Sequence, residues 1–562
     1  MLLEKLLELR GYTDAQSREN FLNPKYSDMY DPFLMNDMDK AVARIFQAIE
    51  NNEKICIYSD YDADGVPGGV ILHDFFKKIG YENFSNYIPH RHDEGYGVHK
   101  EALETIAREG AKLVITVDVG ITAVDEIAYG TSLGLDIIVT DHHEPLEVLP
   151  SAFAIVNPKL KTSPPTPLLE GEGSSYPDRM LCGSGVAFKV VQGMIMEAAQ
   201  KAKPFAPQEG FEKWLLDLAG LATLSDMVPL VNENRVIAYF GMKVLQKNQR
   251  PGLRALFEKS GINVDYLTET DIVFSITPKL NAAGRMAHPI DAFNTLAAKN
   301  TRDATVAAEH LAHLNDDRKK IVARIMKDVH KKVTARKFAG DLKQILVIGD
   351  PGWPAGILGI IASKILEEYN LTTFVWGSEG DVIKGSCRGV GDVSVVTLME
   401  NISHVFVHFG GHEDAGGFSM TRETIHFLED ELCNNYDKFK HVVSRQVTEI
   451  KADMDLELSD VTLENYQALR KMAPFGMGNP TPIFAFKNIT IESVRQFGKT
   501  SEHLEVVVRS GNDLVKTISW YATPESFSEK IEQGKTMTLL GEFDFSVFRG
   551  KSELRLKIVD FL

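Results

Sequence analysis

The stretch ICIYSDYDADG (residues 55–65) decides the fold of the first half of the chain. A short apolar run rich in β-branched residues ends at Asp60, and two further carboxylates, Asp62 and Asp64, follow at alternate positions before a glycine. The apolar run predicts a buried β-strand. Because neighbouring carboxylates repel one another, three of them directly after a strand indicate a cation site at the strand end.

Two later stretches repeat this design, LVITVD (113–118) and DIIVTD (136–141), and helical patterns such as residues 101–110 lie between the strands. Strands that alternate with helices predict a parallel sheet covered by helices on both faces. In such sheets, ligands bind outside the carboxyl ends of the strands. We therefore expect Asp60, Asp118 and Asp141 at one edge of one sheet.

The composition is that of a globular protein with several domains. The chain has 562 residues, 44% hydrophobic and 25% charged, and its four cysteines form no CxxC pair, which argues against zinc ribbons and disulfide frameworks. No apolar run approaches the roughly 20 residues that cross a bilayer, so we expect a cytoplasmic protein without membrane contact. The net charge of −17 argues against a coat of phosphate-binding lysines but permits a local basic groove.

The patterns along the chain predict five segments. The link MAPFGMGNPTP is rich in Pro and Gly, as a domain boundary should be, and five alternating runs after residue 483 predict a small barrel of OB type. The predicted segments are an N-terminal helical segment (1–50), an α/β domain (51–245) with a flexible insertion (161–178), a helical connector (246–340), a smaller α/β domain (341–450), and a linker with the barrel (451–562).

The alternate aspartates resemble a calcium loop only in part. An EF-hand loop that began at Asp60 would have Gly65 at its sixth position, which fits, but its twelfth position is Ile71 instead of a bidentate glutamate. The preceding element is also a strand and not a helix. A solvated Asp-rich turn would be the simpler interpretation if the motif stood alone.

The motif has partners elsewhere in the chain. TVDVGIT contains Asp118, VTDHHEP contains Asp141, His142 and His143, and LATLSDMVPL places Asp226 at the close of an apolar helical stretch. Carboxylates with imidazole suit Mn²⁺ or Mg²⁺. Two such ions about 3.5–4 Å apart would clamp the attacking and leaving oxygens of a phosphoryl transfer, and Asp118 is the natural residue to bridge them.

These motifs occur in the order found in the DHH phosphoesterase superfamily: DYDADG, VDVGIT, VTDHH and LSDMVPL. Further segments, among them CGSGVAFK, ITPKLNAAGRM, GSCRG, FGGHEDAGG and APFGMGNP, resemble its RecJ branch, the single-strand-specific DNA exonucleases. The resemblance runs from about residue 20 to the C-terminus. It implies a parallel-sheet DHH catalytic domain, a long connecting helix, a smaller α/β DHH-associated domain and an OB-like β-barrel.

The resemblance also implies the metal ligands. One ion would be held by Asp60 and Asp62, the other by Asp64, His142 and Asp226, with Asp118 shared. His143 would act beside the scissile phosphate, and Asp141 would orient a neighbouring ligand.

Other residues are expected to hold the nucleic acid. They are Arg91 in a Gly-rich loop, Arg285 in PKLNAAGRM, Ser386 and Arg388 in GSCRG, and Gly411 and His412 in FGGHEDAGG. Glycine clusters are usually only turns, and Arg91 fits an ordinary polar loop equally well. In the barrel, Phe543, Phe545, Phe548 and Arg549 could stack on bases, although half of such alternating aromatic residues should face the core.

The resulting hypothesis is a two-metal exonuclease that degrades single-stranded DNA in the 5′→3′ direction and releases 5′-mononucleotides in DNA repair and recombination. A helicase and a single-strand-binding protein are candidate partners. Two alternatives stay open: a phosphodiesterase for short oligonucleotides or cyclic dinucleotides, and a non-catalytic DNA-binding scaffold. The chain departs from its relatives at Pro67-Gly68, where Thr or Ser is common, and at Pro354, where histidine is common.

Overall fold

The computed structural model describes residues 2–91, 93–161, 176–380, 382–390, 394–439, 451–498, 501–548 and 551–562. Residues 162–175 of the predicted insertion, and Arg549 of the barrel, lie outside these ranges. By contacts within the chain, residues 32–226 and 244–447 form one compact unit, and residues 1–31, 227–243 and 448–562 form another. The division into five segments stays a prediction.

Two short helices, α1 (Leu2–Leu9) and α2 (Ala15–Leu22), begin the chain. The elements that follow, to the end of the first sheet, are α3 (Met38–Glu50), β1 (Lys54–Ser59), α4 (Gly65–Lys78), β2 (Phe84–Tyr87), α5 (Lys100–Arg108), β3 (Ala111–Val117), α6 (Val124–Ser132), β4 (Asp136–Thr140) and β5 (Ala154–Val156).

The first sheet is parallel, with the order β2-β1-β3-β4-β5 among the described residues. Ser59 of β1 pairs with Val117 of β3, which in turn pairs with Thr140 of β4. Each strand therefore ends beside its neighbour, and the next residue of each is an aspartate. This confirms the expectation that Asp60, Asp118 and Asp141 share one edge of one sheet.

Helices dominate the chain between the two sheets. They are α7 (Gly183–Gln200), α8 (Leu216–Ser225), α9 (Asn232–Lys247), α10 (Pro251–Ser260), α11 (Glu269–Asp271), α12 (Thr277–Met286), α13 (Ile290–Ala297) and α14 (Thr301–Ala339). A π-helical turn, Ile272–Ile276, separates α11 from α12. The predicted long connecting helix is α14, which has 39 residues. No helix in the described ranges is both long and apolar enough to span a membrane.

A second α/β region follows α14. Its elements are β6 (Ile345–Gly349), α15 (Leu358–Tyr369), β7 (Thr372–Glu379), β8 (Val382–Arg388), α16 (Val395–Asn401), β9 (His408–His412), β10 (Ala415–Met420) and α17 (Leu428–Phe439). The sheet has the order β6-β7-β8-β10-β9. In this described sheet, β6 and β7 pair in parallel and the other pairs are antiparallel.

The C-terminal elements are β11 (Met454–Asp455), α18 (Leu463–Arg470), β12 (Phe484–Phe497), β13 (His503–Ser510), β14 (Asp513–Ser519), β15 (Thr536–Phe548) and β16 (Lys551–Phe561). Pairing of β12 with β15 closes the last five strands into the predicted OB-like barrel. β12 has 14 residues and is longer than the run that predicted it, and shifts of register within it let one strand pair on both sides.

In the unit formed by residues 1–31, 227–243 and 448–562, the core contains the two N-terminal helices as well as the barrel. Leu6 and Leu7 of α1 and Phe21 of α2 are buried in the same apolar cluster as Phe484 and Phe561 of the barrel strands. The amphipathic N-terminus therefore covers apolar surface of the barrel unit, and its burial removes that surface from water.

Gly68 in α4 marks the closest approach of that helix to the sheet. A Cβ atom at this position would lie 2.6 Å from Val117 Cγ1 and 3.1 Å from the Cα atom of Ser184. The second contact is with backbone of α7, which cannot turn aside as a flexible side chain can.

We expect Gly68→Ala to lower the free energy of unfolding of the unit that contains the first sheet by about 1–3 kcal/mol, the usual cost of overpacking. Thermal unfolding followed by circular dichroism would measure it. Gly185→Ala is the matched control, because a Cβ atom there meets its nearest neighbours at 3.6 Å, an ordinary contact. Equal melting temperatures for the two variants would contradict the inference that α4 is held tightly against β3 and α7.

Candidate metal centre

The loop after β1 is folded by its own carboxylates. Asp62 Oδ1 accepts hydrogen bonds from the backbone N–H groups of Asp64 (2.8 Å) and Gly65 (3.1 Å), which shapes the start of α4. The side-chain oxygen of Asn281 on α12 accepts the N–H of Ala63 at 2.8 Å. The three aspartates are therefore held by a rigid turn that two separate parts of the chain support.

Asp64 is oriented by the N-terminus of α7. Its two carboxylate oxygens accept the N–H groups of Gly183 (2.6 Å) and Ser184 (2.7 Å), and the Ser184 hydroxyl donates to its backbone carbonyl. Free N–H groups at a helix start favour a negative charge. A Cβ atom at Gly183 would lie 2.4 Å from that of Asp118, so only glycine fits between the helix start and this second carboxylate.

Asp118 ends the central strand β3 in a backbone conformation that is rare for residues other than glycine, with φ of 63°. Its Oδ1 atom and that of Asp60 are buried and have no hydrogen-bond donor among the described residues. Buried polar atoms are normally paired. Two orphaned carboxylate oxygens at one edge of a sheet are what a bound cation would satisfy.

The histidines complete the arrangement. His142 Nε2 lies 3.2 Å from Asp118 Oδ1, and it lies 3.8 Å from both Asp64 Oδ2 and Asp226 Oδ2. Asp226 is the C-cap of α8.

Among the described residues, three groups have ligand atoms within 4.8 Å of one another: Asp60, Asp62 and Asp118; Asp64, His142 and Asp226; and Asp118, His142 and His143. The first two groups coincide with the two ligand sets expected from the sequence, and Asp118 lies in both the first and the third. Oxygen and imidazole donors in this arrangement fit two divalent cations of the Mn²⁺ or Mg²⁺ type.

The electrostatics of the cluster agree with this fit. Burial, followed by repulsion from neighbouring carboxylates, raises the pKa of Asp60 and of Asp118 well above the usual range. Burial and the charges of Asp64 and Asp62 raise the pKa of Asp226 to about 9. Carboxylates in such surroundings ionise readily only when positive charge is supplied, which a divalent ion does.

Asp141 and His143 form a separate pair. Burial alone would raise the pKa of Asp141, but hydrogen bonds from His143 and from the Ile121 N–H group outweigh it and lower the pKa. The His143 Nδ1 atom lies 2.7 Å from Asp141 Oδ1. Because that carboxylate is ionised, Nδ1 donates the proton of this hydrogen bond, and Nε2 takes no part in it. Burial lowers the pKa of His143, but the hydrogen bond and the charge of Asp141 raise it by more, so the net pKa shift is upward.

A cleft of about 250 Å³ lies over the carboxylates. Of the residues expected to hold nucleic acid, it includes Arg91 and Arg285. The Arg91 guanidinium lies 4.8 Å from the centre of the Tyr61 ring. Arg285 is half-buried and donates from Nη1 to the Gly356 carbonyl at 3.1 Å, and desolvation with the nearby Arg91 charge lowers its pKa to about 10.

Sequence reasoning missed three residues that line this cleft: Tyr61, Tyr96 and Asn281. The Tyr96 hydroxyl lies 3.5 Å from the His143 ring nitrogens. Two glycines with positive φ, Gly95 (91°) and Gly97 (115°), flank this tyrosine. A GYG triplet beside Arg91 was the available signal, whereas Asn281 looked like any polar residue on a helix.

The remaining expected residues lie in the second α/β region, outside the lining of this cleft. Arg388 donates from Nη1 to the Ser386 hydroxyl at 3.2 Å, and both side chains approach Gly359 in the first turn of α15, where a Cβ atom would lie 3.2 Å from Arg388 Nη2. Gly411 and His412 are exposed at the end of β9. Phe543 of the barrel is buried against Phe484, so it is one of the alternating aromatic residues that face the core.

Three family models match the chain. They are described as "DHH family, N-terminal domain" (residues 54–223), "DHHA1 domain" (residues 317–447) and "RecJ OB domain" (residues 452–560). The fold and the ligand groups thus define a protein of the DHH class that also has a DHHA1 domain and an OB domain.

Relatives narrow the class. A "Single-stranded-DNA-specific exonuclease RecJ" of Bacillus subtilis (strain 168) is 33% identical over 565 residues, which cover 100% of this chain and 67% of the relative. The RecJ of Haemophilus influenzae is 29% identical over 100% of this chain and 96% of the relative. The chain belongs to the RecJ family.

Solved structures agree on the fold. A RecJ of Thermus thermophilus in complex with Mn²⁺ superposes with a TM-score of 0.79 at 23% identity, covering 99% of this chain and 75% of that one. An exonuclease RecJ bound to manganese has a TM-score of 0.59 at 27% identity, covering 73% of this chain and 97% of that one.

The Asp141–His143 pair predicts a titration that can be measured without metal. In Asp141→Asn the raising interaction is lost and burial remains, so the pKa of His143 should fall. NMR of ¹³C-labelled histidine in EDTA would follow it. Glu144→Gln, which removes an exposed carboxylate one residue away, should leave the titration almost unchanged; an equal shift in both variants would contradict a specific pair.

Proposed function

We propose that the protein is a single-stranded-DNA-specific exonuclease that hydrolyses phosphodiester bonds with two Mn²⁺ or Mg²⁺ ions. Digestion proceeds 5′→3′ and releases 5′-mononucleotides, as family membership implies. The observation that carries the proposal is that, in a chain of the RecJ family, Asp118 lies in one ligand group with Asp60 and Asp62 and 3.2 Å from His142 of the other group. The printed names of the relatives supply the substrate class.

The two ions, when bound, would neutralise charge on the phosphate and activate the attacking water. The chain positions everything else. Asp60, Asp62 and Asp118 would hold one ion. Asp64, His142 and Asp226 would hold the other, with Asp118 between them; the pKa of His142 is lowered by burial, which keeps a nitrogen lone pair free for a ligand bond.

His143 is suited to a proton-transfer or polarising role. Its Nδ1 proton is committed to Asp141 at 2.7 Å, which fixes the ring and leaves Nε2 to contact the scissile phosphate or the leaving oxygen. Asp141 is therefore the residue that orients His143.

The single-stranded DNA would be held by contacts to its phosphate backbone. Arg91 and Arg285 line the cleft, and guanidinium groups are well matched to phosphate oxygens. Ser386 and Arg388, beside the first turn of α15, and the exposed Gly411 and His412 extend the proposed surface in the second α/β region. Such contacts read little sequence, which suits an enzyme that degrades any single strand.

The cellular setting follows from the chemistry. A nuclease that requires single strands needs them exposed, so a helicase that unwinds duplex DNA and a single-strand-binding protein are the partners that we propose. Repair and recombination are the processes that generate such strands, and the cytoplasm is the location that we propose for the enzyme.

Asp118→Asn should abolish cleavage while leaving strand binding intact, because it weakens both metal positions at once. We expect a loss of at least about 10³-fold, equivalent to about 4 kcal/mol. Strands labelled at the 5′ or 3′ end, duplexes and dinucleotides would be incubated with Mn²⁺, Mg²⁺ or EDTA. Asp125→Asn is the control, since this exposed residue lies in the first turn of the helix that follows the same strand.

The assay separates the rival functions. Early release of a 5′ label as mononucleotide, with the 3′ label kept in shortening strands, supports the proposed polarity. Cleavage of dinucleotides alone would favour a phosphodiesterase for short substrates. Binding without cleavage at any metal concentration would favour a scaffold. Full activity of Asp118→Asn would overturn its bridging role.

Arg285 offers a test of strand binding. Arg285→Gln should weaken the affinity for single-stranded DNA about tenfold and reduce the dependence on salt by close to one phosphate contact. Fluorescence anisotropy at several salt concentrations, in EDTA to prevent cleavage, would measure both. Arg302→Gln, an exposed arginine in the first turn of α14, should change neither; equal losses in the two variants would indicate general charge effects only.

A further inference from the structure

A second cavity, of about 450 Å³, lies in the same unit as the metal centre but at the other ends of two of its helices. Asp74 of α4 and Asp217 of α8 are among its lining residues. Asp74 follows the start of α4 by nine residues, and Asp217 precedes Asp226 by nine. At 1.5 Å per residue, each helix separates the cavity from the metal-ligand end by about 14 Å.

The floor of this cavity is polar and largely buried, and it consists of Arg250 with Asp217 of α8 and Asp74 of α4. Arg250 donates to both oxygens of Asp217 (2.7 and 3.3 Å), to Asp74 Oδ2 (2.8 Å) and to the Leu296 carbonyl (3.1 Å). Its side chain is 12% exposed, and that of Asp217 is 9% exposed. One guanidinium is paired with two carboxylates, so the floor keeps a net negative charge, and an anionic group of a ligand would lie away from it, at Lys299.

One wall is aromatic and the others are apolar. Trp214, in the 3-10 helix Phe211–Leu215, lines the cavity and remains 46% exposed, although large aromatic side chains are usually covered. Pro251 and the small residues Ala297 and Ala298 complete the apolar lining. A flat, partly exposed indole beside small side chains offers apolar surface to the planar ring of a ligand.

The rim is basic in a protein that carries a net charge of −17. Lys299 lines the cavity and is exposed. Lys247 lies over the Trp214 ring with Nζ 5.0 Å from its centre, and Lys78 lies 5.5 Å from the ring of Phe211 in the same 3-10 helix. Lys299 is the one of these three lysines that lines the cavity, and together with the indole it favours a ligand that has both a planar ring and an anionic group.

From this combination we propose that the cavity is a nucleotide-binding site that takes a nucleoside monophosphate, with its base against Trp214 and its phosphate at Lys299. The volume falls within the range of small-molecule sites, which is roughly 300–1,000 Å³. Two sources share this chemistry: the deoxynucleotide that the proposed reaction releases, and a cellular ribonucleotide. Binding itself does not depend on the proposed nuclease activity, because neither the metal ligands nor the cleft above them take part.

Equilibrium dialysis of the full chain against radiolabelled dAMP or AMP, in EDTA, tests the proposal. We expect saturable binding of one nucleotide per chain. Ala298→Leu, which fills the cavity, and Trp214→Leu, which removes the stacking wall, should each weaken binding at least tenfold. Lys299→Glu should weaken binding of dAMP but not of deoxyadenosine. Two controls should bind as the wild type does: Lys112→Glu, an exposed lysine on β3, and Asp118→Asn at the metal centre.

The relative affinities for dAMP and AMP distinguish the two sources of the nucleotide. Tighter binding of dAMP than of AMP identifies the reaction product as the ligand, and the reverse identifies a ribonucleotide; both agree with the site. Absence of saturable binding overturns the proposal. So does binding that Asp118→Asn abolishes and Ala298→Leu and Trp214→Leu leave intact, which would place the nucleotide at the metal centre. Equal binding of deoxyadenosine and dAMP would show that no phosphate is read and would reject a nucleotide ligand.

Discussion

Repulsion among carboxylates crowded at one edge of a parallel sheet is the constraint on which the rest of the site depends. The main chain creates the crowding, because the N–H group of Asp60 bonds to Val117 and that of Asp118 bonds to Thr140, which places successive strand ends side by side. The fold compensates this repulsion differently at each carboxylate. Asp64 receives two N–H groups at the start of α7, whereas Asp60 and Asp118 each keep a buried oxygen without a donor in the described part of the chain. The oxygens left without donors are those that a cation must satisfy, so the pattern of hydrogen bonds defines the metal site as much as the identities of the residues do.

The helices that carry these ligands are tied together at their far ends. α4 begins in the DYDADG turn and α8 ends at Asp226, and Arg250 joins the two helices through Asp74 and Asp217. Breaking a buried pair of this kind leaves an uncompensated charge, which is costly. The positions of the two helices, and hence of the aspartates at their metal ends, are therefore coupled through one arginine about 14 Å away. The nucleotide cavity uses this arginine as its floor, which places any ligand there in contact with the joint between the two helices.

Local pattern predicted the parts of the structure that depend on strand ends. Apolar runs that terminate in Asp60, Asp118 and Asp141 were sufficient to place these residues on one edge, because parallel strands align their carboxyl ends. Contacts between distant segments had no comparable signal. Leu6 is buried with barrel residues more than 400 positions away, and Asn281 reaches the turn after β1 from α12. Periodicity shows that a helix has an apolar face or that a strand alternates, but not which partner covers that face. For this reason the alternation of the barrel strands could not decide that Phe543 is one of the aromatic residues that pack inside.

The departure at Pro67-Gly68 shows how backbone packing can override a side-chain contact. Gly68 faces Val117 of the central strand and Ser184 at the start of α7, and a Cβ atom there would lie within 3.1 Å of both residues. Ser184 also donates its hydroxyl to the Asp64 carbonyl. A hydroxyl is therefore present at the start of α4, supplied by α7 and not by α4 itself. The close approach that brings it there is what excludes a side chain at residue 68. The turn that carries the metal ligands is thus held by a hydrogen bond from α7, and the close approach of α7 requires glycine at residue 68.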